Sequence, residues 1–221
     1  MLSFARNMIM EVKEVAQEGK THEKILDAAR EEFLEKGFQK ASLRRIVKTA
    51  GVTTGAFYRY YPTKEALFED LVKPHADKVI GFLKEGIAEI ERMPGEQQTV
   101  LMDVTATDYL DQMLDYIYDH YEEFKLLICA SGGTAYEDFI HELVTREVEA
   151  TQHYIKVLRS MGHSVPEIDE GLCHMISSGL FSGIFEMVIH DMKKEDAKKR
   201  IALFREFHTG GWEKIMRIQF G

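Results

Sequence analysis

Residues that could carry out chemistry are scattered along the chain, and none has the spacing of a catalytic or metal site. His141 and Glu142 are adjacent, but no second histidine follows four residues after the first, so the zinc-protease pattern is missing. Cys173 and His174 face different sides of any helix, and Cys129 lies 44 residues before Cys173. Neither a glycine-rich phosphate loop nor a nucleophile elbow occurs. The sequence therefore predicts a protein that is not an enzyme and that holds no metal ion or cofactor.

Basic residues are concentrated near the N-terminus. The 221-residue chain has a formal net charge of −9, which taken alone argues against a nucleic-acid partner. Residues 20–64 nevertheless hold 10 Lys or Arg against 5 Asp or Glu, and no acidic residue occurs between Glu35 and Glu65. The rest of the chain carries −14. This asymmetry predicts a small basic module attached to an acidic body.

Helical periodicity runs through nearly the whole chain, with no strand alternation and no internal repeat. A first helix is expected from an N-cap at Thr21 to a stop at Gly37. Two short helices follow, one capped by Ser42 and one over residues 53–60, and they meet at Gly51. Longer helices occupy the remainder. We expect an all-α protein with an N-terminal three-helix module and a larger helical domain.

The two short helices joined at Gly51 match the helix-turn-helix pattern. The first turn of the second helix, residues 53–55, offers two hydroxyls and a bare glycine at the end that meets base edges in the major groove. Its N–H groups also favour a nearby phosphate. Val52, Phe57 and Tyr61 are expected to form the small core beneath this helix. The pattern indicates a DNA-binding module.

The residues from Ser42 to Phe68 resemble the DNA-binding domain of the tetracycline-repressor (TetR) family of regulators. The likeness covers about residues 21–70, with Phe57-Tyr-Arg-Tyr-Tyr and Thr63-Lys-Glu-Ala-Leu-Phe as its most specific parts. Tyr60 stands where the family often has histidine. Beyond Lys73 only the helical layout and the total length agree with the family.

The resemblance implies which residues contact DNA. They are Arg44, Arg45, Thr53, Thr54, Gly55, Tyr58, Arg59, Tyr60 and Lys64. Residues 53–55 and Arg59 would face or border the bases, and Arg44 and Arg45 would reach phosphate or a neighbouring base. The remaining three would bind phosphates, which fixes register without reading sequence. For Tyr58 and Tyr60 the alternative is half-buried packing.

The last two helices are expected to form a homodimer interface. The helix around Leu172 is apolar on two sides and must be covered on both. The final helix offers a matching stripe of Ile201, Phe204, His208, Gly211, Trp212 and Ile215. A four-helix bundle between two copies satisfies both helices, and the resemblance implies the same arrangement. The alternative is burial within one subunit. A dimer would place two recognition helices ~34 Å apart on an inverted repeat of double-stranded DNA.

The resemblance also implies an effector pocket in the larger domain. Its candidate residues are Tyr109, Met113, Tyr116, Phe139, His174 and Phe181. Aromatic and thioether side chains suit a small apolar or amphipathic effector, although they suit an ordinary core equally well.

These observations predict a ligand-responsive transcriptional repressor with three regions. Residues 1–20 form an N-terminal extension, either a short helix carrying Ile9, Val12 and Ala16 or a mobile arm. Residues 21–66 form the DNA-binding domain, and residues 67–221 the ligand-binding and dimerisation domain. The alternative is an architectural or protein-interaction factor without small-molecule control. A third option, an enzyme using His141 or His174, has no supporting pattern.

The protein is expected in the cytoplasm and away from membranes. The N-terminus has no apolar run of signal-peptide length. The most apolar run, residues 176–185, is shorter than the ~20 residues that cross a bilayer. Two cysteines in a chain of this size favour reduced thiols.

Overall fold

The structure is a computed structural model that describes the backbone of residues 2–220 and the side chains of residues 18–220. Within this part of the chain every regular element is an α-helix, which confirms the predicted all-α fold. The predictions for Ile9, Val12 and Ala16 lie outside the described side chains. The helices are α1 (Leu2–Lys40), α2 (Leu43–Thr49), α3 (Thr54–Tyr60), α4 (Lys64–Arg92), α5 (Gly95–Asp119), α6 (Tyr121–Cys129), α7 (Phe139–Ser160), α8 (Glu170–Ile189) and α9 (Lys194–Met216).

The chain divides into two compact units. The first unit holds Met1–Pro74 and Cys129–Glu137, and the second holds His75–Ile128 and Asp138–Gly221. Helix α4 crosses from one unit to the other, with Pro74 inside it.

Local capping explains where α2, α3 and α4 begin. The hydroxyls of Ser42, Thr53 and Thr63 each accept a hydrogen bond from the backbone N–H three residues further along, at 3.5, 3.1 and 3.1 Å. These bonds satisfy donors that the first turn of a helix leaves open. Gly51, between α2 and α3, has φ 67°, a left-handed conformation that side chains with a Cβ rarely adopt. The predicted boundaries of α2 and α3 are therefore close to those observed.

Helix α1 departs from its prediction at both ends. It begins before Thr21, so the predicted N-cap there is wrong. At Gly37 the backbone turns through φ 70° and the chain kinks, yet it returns to helix as far as Lys40. The N–H of Phe38, just after the kink, donates to the carbonyl of Ala130 at 2.9 Å. This bond attaches the distant segment Cys129–Glu137 to the first unit.

An aromatic core holds the first unit together. Phe33, Phe57 and Phe68 are fully buried, and the Phe33 and Phe68 rings meet edge-on with centroids 5.2 Å apart. Tyr61 is also buried and Val52 is half-buried, in agreement with the predicted core. Because Phe57 faces this core, the opposite face of α3 is left to solvent.

Long helices build the second unit, with α7 packed on α8. The Phe139 ring of α7 meets the Phe185 ring of α8 at a centroid distance of 5.9 Å. Helix α8 is longer than the predicted apolar run. By length and composition it is the one helix of the described chain that could cross a membrane, and 39% of that window is buried within the protein.

Candidate nucleic-acid interface and effector cavity

Helix α3 presents the polar face expected of a recognition helix. Thr54, Gly55, Tyr58 and Arg59 are exposed, and 52% of Tyr58 is accessible. A Cβ placed on Gly55 would meet no atom within 4 Å, so the backbone there is open to an approaching partner. Thr53 is exposed too, but its hydroxyl is used as the N-cap of α3. The N-cap at Thr53 therefore fixes where α3 begins, and the exposed residues of its first turn are open to an approaching partner.

Two residues of α3 that were predicted to contact DNA, Arg59 and Tyr60, also contact Glu18, the first residue whose side chain the structure describes. The Arg59 guanidinium lies 3.4 Å from the Glu18 carboxylate, and the Tyr60 hydroxyl donates to the Glu18 carbonyl at 3.2 Å. The Arg59 side chain is 76% exposed, so water screens this ion pair and its net stabilisation is small. Arg59 can exchange Glu18 for a phosphate or a base at little cost.

Arg44 and Arg45 have different surroundings despite being neighbours. Arg44 is exposed, whereas Arg45 makes ion pairs with Glu32 at 2.8 Å and Glu35 at 2.6 Å. Lys36 and then Arg45 lower the pKa of Glu35 through hydrogen bonds. The Glu32 side chain is buried, and a buried carboxylate without its cation would be destabilising. Arg45 therefore fastens α2 to α1 in addition to any role at DNA.

Lys64 has a structural role that differs from its predicted phosphate contact. Its ammonium donates to the carbonyls of Phe38, Gln39 and Ala41 at 2.7, 3.3 and 3.3 Å, and it sits 4.4 Å from the centroid of the Phe38 ring. An ammonium has three N–H donors, so these carbonyls occupy all of them. A phosphate contact would require that at least one of these bonds be exchanged.

A polar cluster that the sequence analysis missed fixes α3 to its neighbours. The Tyr61 hydroxyl donates to the Asp70 carboxylate at 2.5 Å and lies 2.6 Å from His22 Nε2. Burial first, and Asp70 second, raise the pKa of Tyr61, so the hydroxyl keeps its proton as a donor. The cluster joins α1, α4 and the end of α3. No local spacing signalled it, because His22 lies 39 residues before Tyr61 and the three residues belong to different elements.

The second unit encloses a cavity of about 250 Å³ whose walls come from α4, α5, α7, α8 and α9. Of the predicted effector residues, Tyr109, Met113 and Phe181 line it. The Tyr109 ring packs so close to Gly86 of α4 that a Cβ there would lie 3.1 Å from it. Residues of α9 such as Trp212 complete the wall. Most of the lining is apolar, which suits an apolar or amphipathic ligand.

The other three predicted effector residues lie outside the lining of this cavity. Phe139 is buried against Phe185. His174 is exposed, with its ring centroid 5.5 Å from that of His141. Tyr116 turns its hydroxyl to a histidine of α4 at 3.0 Å. Helical spacing predicted which face of its helix each residue occupies, but not which residue of another helix it packs against.

A few polar groups also line the cavity. Arg205 donates to both carboxylate oxygens of Asp103, at 3.2 and 3.1 Å, and Thr209 donates to the same carboxylate at 3.1 Å. Burial raises the pKa of Glu147 and lowers the pKa of His208. Both shifts favour the uncharged side chain until a ligand supplies a counter-charge or a hydrogen bond.

The exposed apolar face of α8 and α9 is not the predicted stripe. Ile201 is buried, and His208 and Trp212 line the cavity. Phe204 packs over Gly183, where a Cβ would lie 2.5 Å from the ring. These residues are therefore turned into the subunit.

Large apolar side chains are nevertheless exposed on both helices. Met175 and Phe207 are each 73% exposed and Leu203 is 65% exposed. We call Met175, Leu203 and Phe207 the apolar face.

Taken together, the fold and the site define an all-helical protein with an N-terminal helix-turn-helix unit and a larger helical unit that encloses a cavity. Residues 25–71 match the family described as bacterial regulatory proteins, tetR family. This match places residues 25–71 in the region that the TetR resemblance covered.

Curated relatives match part of the chain. The transcriptional regulator UidR of Escherichia coli strain K12 is 34% identical over 70 residues, which is 32% of this chain and 36% of the relative. The regulator AcrR of Shigella flexneri is 32% identical over 127 residues, covering 53% of this chain and 55% of the relative. The chain thus spans about a third to a half of the length of these relatives.

Solved structures extend the fold comparison to most of the chain. A transcriptional regulator from Aquifex aeolicus VF5 has a TM-score of 0.54 at 20% identity, over 85% of this chain and 98% of that one. A TetR-family member from Streptomyces coelicolor A3 has a TM-score of 0.55 at 18% identity, over 85% and 90%. At these identities the likeness concerns the fold alone.

Proposed function

We propose that this protein is a transcriptional repressor that binds an inverted-repeat operator as a homodimer and responds to a small effector. The observation that carries the proposal is the exposed polar face of α3, which begins at the N-cap Thr53. This helix lies in a basic segment that contains no Asp or Glu between Glu35 and Glu65. Such a helix enters the major groove with its N-terminal residues at the base edges. The first unit is the DNA-binding part, and the second the effector and dimerisation part.

Base reading would belong to residues 53–55 and Arg59. Phosphate contact would belong to Arg44 and Tyr58, which are exposed beside them, and to Tyr60. Arg45 and Lys64 would support this surface chiefly by holding α2 and α4 in place, because both already bind groups of α1 and its C-terminal turn.

Dimerisation through the apolar face supports the same function. Exposed apolar side chains that cluster on two helices commonly mark an interaction site. A second copy is the partner that a two-fold operator requires, because one short recognition helix contacts only one half-site.

The effector would bind in the cavity of the second unit. Its walls hold the carboxyl groups of Glu91, Asp103 and Glu147 but one guanidinium, Arg205, which Asp103 already engages. This balance favours an apolar effector whose polar end is neutral or cationic. The effector would act through α4, which contributes Phe82 to the cavity and continues into the first unit. It must bind more tightly to the conformation that mismatches the operator.

Footprinting on the DNA upstream of the protein's own gene tests the operator proposal. A protected palindrome is expected, and Thr54→Ala should weaken binding to that site by about 10-fold or more while leaving non-sequence-specific binding unchanged. Asn or Ala replacements at Lys84, which is exposed on α4, provide a control that leaves the footprint intact. Absence of protection at low and moderate salt would overturn the proposal.

The same experiment separates a regulator from an architectural factor. An architectural protein would bind operator and random DNA with similar affinity, so competition by random DNA would abolish the footprint. A regulator of the proposed type retains its footprint under a large excess of competitor.

Two ligands of matched chain and opposite charge test the effector proposal. Hexyltrimethylammonium should change the fluorescence of Trp212, the single tryptophan, more strongly than hexanesulfonate at equal concentration. Glu147→Gln should remove this preference, because it removes a carboxylate that a cation would neutralise. A stronger response to hexanesulfonate would overturn the proposed charge preference.

A further inference from the structure

Three potential metal ligands meet in the second unit, outside the effector cavity lining. They are His75 of α4, His120 between α5 and α6, and Glu123 in the first turn of α6. One ligand atom from each side chain lies within 4.8 Å of the other two, and all three residues are half-buried. The sequence predicted no metal site here, because His75 and His120 come from segments 45 residues apart.

The backbone at the corner of α5 and α6 fixes two of these ligands. The N–H of His120 donates to the carbonyls of Tyr116 and Ile117, at 3.1 and 3.3 Å, and ends α5. Its own carbonyl accepts from the N–H of Phe124 at 3.2 Å and starts α6. Glu123 follows three residues later, a spacing that brings side chains together on one face of a helix turn.

Aromatic packing orients the third ligand. The Tyr116 hydroxyl lies 3.0 Å from Nδ1 of His75, which is the kind of contact that orients a metal-binding imidazole. The His75 and His120 rings are 4.6 Å apart between centroids, and the Tyr116 ring lies 4.4 Å from His120. The two imidazoles are thus held side by side.

The donor set has a clear chemical preference. Two imidazoles and one carboxylate are borderline ligands that suit Zn²⁺ and its neighbours, whereas Mg²⁺ and Ca²⁺ prefer oxygen alone. Ligand atoms around a tetrahedral ion with bonds of about 2.1 Å lie about 3.4 Å apart. Small side-chain rotations would bring the three atoms from their present separation to this one.

We propose that His75, His120 and Glu123 bind a divalent transition-metal ion, with Zn²⁺ the best fit and water in the fourth position. The site joins α4 to the corner of α5 and α6. It does not depend on the proposed DNA-binding function, and metal binding can be measured without DNA.

Calorimetric titration of ZnCl2 into the untagged, chelator-treated full chain tests the proposal. One Zn²⁺ per chain is expected, with affinity falling as the pH is lowered because protons compete with the metal ion for its ligands. His120→Gln and Glu123→Gln should each weaken binding by at least about 10-fold. The control is the double variant His141→Gln/His174→Gln, which removes the exposed imidazole pair and should keep wild-type affinity.

A second measurement needs no substitution, and so covers the case in which a variant fails to fold. Zn²⁺ should protect His75 and His120 of the wild-type chain from modification by diethyl pyrocarbonate, and leave His141 and His174 reactive. Absence of stoichiometric binding, wild-type affinity in the His120 variant, or selective protection of His141 and His174 would each overturn the proposal.

Discussion

The two units place their functional groups in opposite ways. In the first unit, short helices present Thr54, Tyr58 and Arg59 on an exposed surface, while Phe57 anchors the same helix from below. In the second unit, long helices turn their functional groups inward around a cavity, and Trp212 and Glu147 lie on its wall. A surface site depends on one helix being held correctly. A cavity depends on five helices being held together.

The largest expected effect follows from removing the anchor of α3. Phe57→Ala should destabilise the first unit by about 3–5 kcal/mol, because it leaves a cavity in a fully buried position. Hydrogen exchange of α2 and α3 measures this loss, whereas Trp212 fluorescence during denaturation follows the second unit. Tyr58→Ala, its exposed neighbour, is the control and should change the free energy of unfolding by less than about 1 kcal/mol. The contrary result is that Phe57→Ala lowers the stability reported by Trp212 as much as the stability reported by hydrogen exchange of α3. That result would mean that the second unit depends on the Phe57 anchor as strongly as the first, which contradicts the comparison.

The apolar face gives the next largest effect. Phe207→Glu should weaken the dimer by at least about 30-fold, because it places a charge where an apolar surface would be desolvated. Sedimentation velocity over a concentration series measures the change. Val104→Glu is the control, because Val104 is 54% exposed but lies on α5. Equal weakening by both variants would count against the apolar face as the interface.

Arg44 and Lys64 distinguish a contact with DNA from support of the DNA-binding unit. Arg44→Ala should reduce the salt dependence of operator binding by about one counterion. Lys64→Ala should instead lower the free energy of unfolding by about 1–3 kcal/mol, since three carbonyls lose a charged donor. Its salt dependence should match that of the wild type. A reduced slope for the Lys64 variant would restore the phosphate contact that the sequence resemblance implied.

The smallest effect concerns a surface charge cluster of the second unit. Lys198 and then Lys194 lower the pKa of Asp115 through hydrogen bonds at 2.6 and 2.9 Å. A lowered pKa in the folded state means that the carboxylate contributes stability at neutral pH, and that this contribution disappears as the pH falls below about 4.

Asp115→Asn should therefore be less stable than the wild type at pH 7, by a margin that shrinks as the pH falls through the lowered pKa of Asp115, as measured by urea denaturation. Asp111→Asn, one turn earlier on the exposed side of α5, is the control and should show no such change with pH. A deficit of the Asp115 variant that stays constant as the pH is lowered would mean that shape rather than charge is responsible.

The sequence predicted those features whose causes are local. Ser42, Thr53 and Thr63 cap their own helices, and Gly51 adopts its turn without help from distant residues, so α2 and α3 were placed correctly. The all-α class followed from periodicity in the same way. Local rules failed first at Thr21, where a capping residue lies inside a longer helix.

Features that depend on packing between distant helices were harder to predict. In the stripe that was expected at a dimer interface, His208 and Trp212 line the cavity and Ile201 is buried within the subunit. A helix that is apolar on several faces does not reveal which face meets which neighbour. The cluster of His75, His120 and Glu123 arises from three elements and leaves no periodic trace in the sequence.

Helix α4 has one point at which it is mechanically weakest. Pro74 has no N–H, so the carbonyl four residues before it, that of Asp70, receives no helical hydrogen bond. Bending at this point therefore costs one helical hydrogen bond fewer than bending elsewhere along the interior of the helix. The weak point coincides with the boundary between the two units, which divide between Pro74 and His75.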